Sequence, residues 1–236
     1  MRVMRPSAIA TFSVALTIVL VLALATAWLG GKYLYALGEF RSVVVSVTLV
    51  FYIYIYAIVV HRVLLWVAPL REGVIDEGSS QEFRYQVYVL FYLLLLNTLV
   101  RSRAIPIPLM RLVYLALGAR LGTNTFSAGV INDPMFVTIG ANSLVGESAL
   151  LTPHAIEGNA LAHFRISIGD NVTIGAHSVV LAGATIGNNA IVAANSVVTK
   201  GTEIKAGETW GGSPARLLSK GGPATRDQVS EQHRAN

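Results

Sequence analysis

From Ile168 onward, large apolar residues return at every sixth position: Ile174, Val180, Ile186, Val192, Val198 and Ile204, with Trp210 on the next step. An amphipathic helix repeats near 3.6 residues and a half-buried strand at two, so neither element accounts for this period. A period of six arises when a very short strand is followed by a turn and the unit repeats. Three such sides close a triangular coil of about 18 residues, with every sixth side chain pointing into the prism. Two residues before each large one stands a mostly small one (Val172, Ser178, Ala184, Ala190, Ser196, Thr202), as a thin core demands. Gly175, Gly187 and Asn188 are the expected corner residues, because turns need residues that tolerate unusual backbone angles.

Ile139, Val145 and Leu151 form an earlier run in the same period. Between the runs the phase slips, since seventeen residues separate Leu151 from Ile168 and TPHAIEGNALAHFRIS has no period of six. A loop over 152–167 is expected to leave the prism there, and loops on rigid scaffolds carry much binding and catalysis.

The first hundred residues follow another pattern. Ser7 to Leu29 is uncharged and, at 1.5 Å per residue, long enough to cross a hydrocarbon core of about 30 Å. It lacks a small-residue cleavage site, so it reads as a retained anchor. Ser42 to Ala68 is a second span, interrupted only by His61 and Arg62, both expected to snorkel to the membrane surface. Its aromatic ladder, Phe51, Tyr52, Tyr54 and Tyr56, reads as helix packing. Tyr85 to Val100 covers only about 24 Å and is expected to be tilted, re-entrant or interfacial, with three full spans the alternative. Arg2 and Arg5 on one flank, and Arg101, Arg103, Arg111 and Arg120 on the other, place the N-terminus and the repeats in the cytoplasm by the positive-inside rule. Pro108 to Leu117 reads as an amphipathic helix at the membrane surface. The expected organisation is therefore membrane-embedded helices over 1–104, an amphipathic connector over 105–122, the prism over 123–216 and a flexible tail over 217–236.

IGNNAIVAANSVVTKG and the WGGSPARLL that follows resemble the closing coils of the hexapeptide-repeat acyltransferases. LGARLG, INDPMFVTIG and LLTPHAIEG are similar to membrane-linked members, including the terminal region of some nonribosomal peptide synthetases. The resemblance implies N-terminal transmembrane α-helices followed by a left-handed parallel β-helix, an all-β solenoid, assembled as a homotrimer. It also implies coenzyme A, as acetyl-CoA or another acyl-CoA, lying in the groove between two prisms. By that resemblance Ala182 and Gly183 lie beside the thioester, Ala194 and Ser196 further along, and Lys200 near the nucleotide phosphates. Arg216, the other well-placed cation on the last coils, joins Lys200 because charge-assisted bonds suit phosphate. Trp210 is expected either to cover the adenine or to plug the prism.

Composition narrows the chemistry. Cysteine is absent, which excludes disulfides, thiolate catalysis and cysteine-ligated metal. The net charge of +5 follows membrane flanks and not a stacking surface, so lipid headgroups and not nucleic acid are the expected partners. Acyl transfer needs a base, and histidine titrates near neutrality. His61 and His233 fall in the membrane region and the tail, and His177 occupies an outward repeat position. His154 is the preferred base, with Glu157 or Glu147 as the carboxylate that orients it, and His163 is the second choice. No metal is expected.

These readings lead to an acyltransferase of the inner or plasma membrane with a cytoplasmic catalytic domain. An envelope glycan, lipid-linked sugar or similar hydroxyl acceptor is expected, with amide formation as the alternative. Two other classes share the prism: γ-type carbonic anhydrases, which by resemblance need a closely spaced histidine pair absent here, and non-catalytic scaffolds.

Overall fold

The computed structural model describes residues 2–102 and 104–221, so Arg103, His233 and most of the expected tail lie outside the described residues. The chain divides into two compact units. Among the described residues, one comprises 2–71, 75–102 and 104–105, and the other 72–74 and 106–221.

The first unit is helical. Helix α1 (Pro6–Gly31) buries a stripe of small residues, Ala8, Ala15, Ala23 and Ala27, at the spacing of one helix face. It packs against α2 (Phe40–Val67), where the Thr26 and Tyr56 hydroxyls share a hydrogen bond of 2.8 Å. Helix α3 (Ser80–Arg101) contains a π turn at Tyr92–Leu96. The third helix is longer than the apolar stretch that announced it. Ser79 accepts a hydrogen bond from the Glu82 amide at 3.1 Å, and this N-cap starts the helix five residues before Tyr85. All three helices are long and apolar enough to cross a membrane. Arg2 and Arg5 are both ion-paired to Glu82, at 3.2 and 2.9 Å, so neither is a free flanking charge. His61 does not reach a surface with Arg62: it is buried against the rings of Tyr88 and Phe91.

The second unit begins with α4 (Ile107–Leu117), ended by Gly118 in the left-handed region at φ 109°. Tyr114 is fully buried and pins this helix to the first coil, its hydroxyl donating to the Gly129 carbonyl at 3.0 Å and accepting from the Ile131 amide at 3.2 Å. Three parallel sheets then form a β-helix. Ile168 pairs with Ile186, Ile174 with Val192 and Val180 with Val198, so each axial residue sits on the one a full coil later. The first strand, Arg120–Leu121, precedes the expected start at 123. At the other end Arg216–Ser219 pairs antiparallel with Thr209–Gly211, so the closing strand runs beyond 216.

The corners repeat by six as well. Asn171, His177, Gly183, Asn189, Asn195, Gly201 and Gly207 all adopt positive φ. The expected corner residues Gly175 and Gly187 do not. They are needed for close approach, because a Cβ at Gly175 would collide with the backbone of Ala193 and Ala194, and one at Gly187 with that of Ala206.

Candidate active site

The phase slip has a simple structural origin. Ile168 pairs with Ile186, 18 positions ahead, but with Ile139, 29 positions behind, so an insertion separates the early and late coils. It forms a β-hairpin, His154–Glu157 and Ala160–His163, with His154 directly opposite His163. A third strand, Gly73–Val74, pairs antiparallel with its second arm. Leu151 and Ile168 are therefore consecutive axial positions separated by an excursion.

His154 stands at the root of the hairpin, where the regular coil ends. One coil below, Ile131 pairs with Leu151, and the Asn132 amide donates to the Leu151 carbonyl at 3.0 Å. This register carries the next residue, Asp133, to the imidazole. His154 Nδ1 donates to Asp133 Oδ2 at 2.5 Å. Asp133 adopts φ 43° and heads a 3₁₀ turn, Pro134–Phe136, and its side chain is 4% exposed against 31% for His154. With Nδ1 engaged, Nε2 keeps its lone pair for a substrate proton. Burial opposes the charged imidazole, but the Asp133 hydrogen bond and charge outweigh it and raise the His154 pKa above its ordinary value.

The carboxylate on His154 is thus neither Glu157 nor Glu147. Glu157, at the hairpin's far end, pairs with Lys200. His163 is fully buried, stacked on the Phe136 ring at 4.9 Å, and burial pushes its pKa down. A group so enclosed cannot meet an acceptor and serves to hold the hairpin onto the 3₁₀ turn. His177 is an exposed corner residue at φ 59°.

The expected donor residues fare unequally. The Gly183 amide donates to the Phe164 carbonyl at 3.2 Å and is already engaged, while Ala182 beside it is buried. Ser196 is fully buried, its hydroxyl accepting from the Gly212 amide, so it faces the interior and not a groove. Trp210 pairs with Val192 at the end of the axial column, half-buried, its Nε1 donating to Glu208 at 2.9 Å. That bond, with the Lys205 amide, holds the Glu208 carboxyl below its usual range. Ala194, Lys200 and Arg216 are exposed. Sequence reasoning missed Asp133, Arg165 and Glu72. For Asp133 the hexad gave no signal, since Ile131 and Leu151 pair in the structure but lie 20 positions apart, out of the period of six.

Residues 165–200 match the family model described as bacterial transferase hexapeptide (six repeats), so these coils are hexapeptide repeats of that kind. Gamma carbonic anhydrase 1, mitochondrial, of Arabidopsis thaliana is 33% identical over 82 residues, covering 35% of this chain and 26% of that protein. Delta-poly-L-ornithine synthetase of Acinetobacter baumannii is 30% identical over 105 residues, 43% of this chain and 8% of that protein. The chain therefore spans about a quarter or less of the curated relatives it matches. A hexapeptide-repeat-containing acetyltransferase of Vibrio cholerae O1 biovar eltor, solved with acetyl coenzyme A, is 32% identical, covering 43% of this chain and 60% of that one, at a TM-score of 0.40.

Proposed function

We propose that the chain is a membrane-anchored, coenzyme A dependent acyltransferase that acetylates a hydroxyl of an envelope glycan or lipid-linked acceptor. The observation that carries this reading is the 2.5 Å pair between His154 and Asp133 at the root of the hairpin that directly precedes the coils matching the bacterial transferase model. As the acceptor oxygen attacks the thioester carbonyl, His154 Nε2 takes its proton, and the imidazolium is stabilised by Asp133. Collapse of the tetrahedral intermediate breaks the carbon–sulfur bond, and the coenzyme A thiolate leaves with the proton from His154. The acetyl group ends on the acceptor, and free thiol is the second product.

The remaining parts of the proposal rest on the resemblance and on composition. They are a left-handed coil, a homotrimer with the donor between prisms, three apolar helices in the inner or plasma membrane, and a cytoplasmic catalytic unit where acyl-CoA is found. Of the donor residues, Lys200 and Arg216 are exposed cations suited to the phosphates, and Lys200 must exchange Glu157 for the donor. An amine acceptor would use the same base, and mild alkali, which cleaves an acetyl ester but leaves an acetamide intact, separates the two outcomes.

The test measures thiol release from acetyl-CoA by the full-length protein in detergent or nanodiscs, with envelope lipids and glycans as acceptors. His154→Ala should lower turnover by about 10²-fold or more while coenzyme A binding persists. Near-normal turnover in that variant would end the histidine mechanism. The match to a γ-type carbonic anhydrase makes one further measurement worthwhile, since stoichiometric zinc with CO₂ hydration activity would replace the proposal.

A further inference from the structure

Glu72, Gly73 and Val74 lie between α2 and α3 in sequence, yet they belong to the same compact unit as the prism. Gly73 pairs with His163 and Val74 with Ala162, which makes this short strand the outer edge of the hairpin sheet. Just before it, the Glu72 carboxylate accepts from Arg165 Nε at 2.8 Å and from the Arg165 amide at 3.3 Å. Arg165 reaches on in the other direction. Its Nη1 donates to the Met135 carbonyl at 3.2 Å, and its guanidinium lies 6.0 Å from the centre of the Phe136 ring. Met135 and Phe136 belong to the 3₁₀ turn headed by Asp133, and Phe136 is the ring on which His163 stacks.

One guanidinium thus joins a carboxylate 93 residues away to the turn that carries the partner of His154. We propose that Arg165 and Glu72 are positioning residues: Glu72 aims the guanidinium, and Arg165 holds the Asp133 turn against the hairpin so that Asp133 stays on His154 Nδ1. For catalysis this rests on the acyltransferase reading, but the geometric claim does not. The Arg165 and Glu72 side chains are 27% and 44% exposed. A pair so open to water contributes little to global stability, whereas a small displacement of a catalytic pair is costly in rate. The effect therefore belongs in the imidazole and the turnover, not in the melting temperature. The other titratable or charged groups on the elements around His154 are His163 on the facing strand, and Glu157 with Lys200 at the hairpin's far end.

The experiment compares wild type, Arg165→Met, Arg165→Lys and Glu72→Gln as full chains in detergent. Isotope-labelled histidine is titrated by NMR, with His154→Gln used to assign the signal. In wild type the His154 signal should titrate above the ordinary histidine range. Arg165→Met should move it down toward that range, with Arg165→Lys and Glu72→Gln in between and melting unchanged. In turnover assays Arg165→Met should lower kcat about 10-fold, with KM for acetyl-CoA changed less than twofold. An unshifted His154 titration in a folded Arg165→Met protein overturns the proposal, whatever happens to kcat. A shifted titration with no acetyl transfer by any protein, wild type included, would uphold the clamp and remove the acyltransferase reading instead.

Discussion

The coils from Ile166 to Ile204 and the corner that carries Asp133 and His154 belong to the same solenoid but obey different rules. In the coils each residue's place follows from its phase: axial residues stack 18 apart, and a corner with positive φ returns at every sixth residue. Substitution there is felt as stability. At the Asp133 corner the phase is broken twice, by a 3₁₀ turn in one coil and a hairpin in the next, and two polar side chains meet just past the axial pair Ile131 and Leu151. Regular repetition makes a rigid frame, and the proposed chemistry sits where repetition fails.

Substitutions at three positions probe that contrast. The largest effect on turnover is expected at the irregular corner. Asp133→Asn should reduce kcat/KM by about 10²-fold, because the carboxylate that stabilises the imidazolium is gone. The sign of its pH effect follows from the raised His154 pKa. The base works only when unprotonated, so the wild-type rate should fall with decreasing pH at a midpoint above the ordinary histidine value, and Asp133→Asn should move that midpoint down. A pH profile with an unmoved acid limb would break the assigned pairing.

In the frame the balance reverses. Ile186, about 1% exposed, is part of the axial column, and Ile186→Ala should destabilise the unit by about 2–5 kcal/mol. Turnover per folded molecule should stay within a few-fold of wild type, as read from denaturant melts alongside activity. A collapse of rate without loss of stability would show that frame and corner are not separable in this way. The smallest effect is expected at the corners. Asn189, at φ 58°, should accept glycine almost without cost, whereas Asn189→Val should lose about 1–2 kcal/mol from backbone strain. Equal stabilities for the two variants would contradict the left-handed corner.

Much of this was legible in the sequence, unevenly. The prism, its axial residues and the site of the insertion were readable because hexad phase is a local property of the chain, and His154 stood out where phase was lost. Lys200 was readable as an outward cation but not as the partner of Glu157, which is 43 positions earlier. Ser196 was misassigned to the groove although it follows the same small-residue phase as Ser178, whose hydroxyl turns inward to the Ala193 carbonyl. The third apolar helix was read too short, since hydropathy counts apolar residues and ignores an N-cap that recruits polar ones.

By itself the sequence determined a stack of coils, because six-residue periodicity tells each segment which way to face without reference to distant partners. Only the tertiary structure decided which carboxylate meets His154, that His163 is enclosed while His154 is open, and that Glu72 closes on Arg165. Those contacts join segments 21, 9 and 93 positions apart. Their meeting depends on how an irregular turn and an inserted hairpin are absorbed between coils, which no local period encodes.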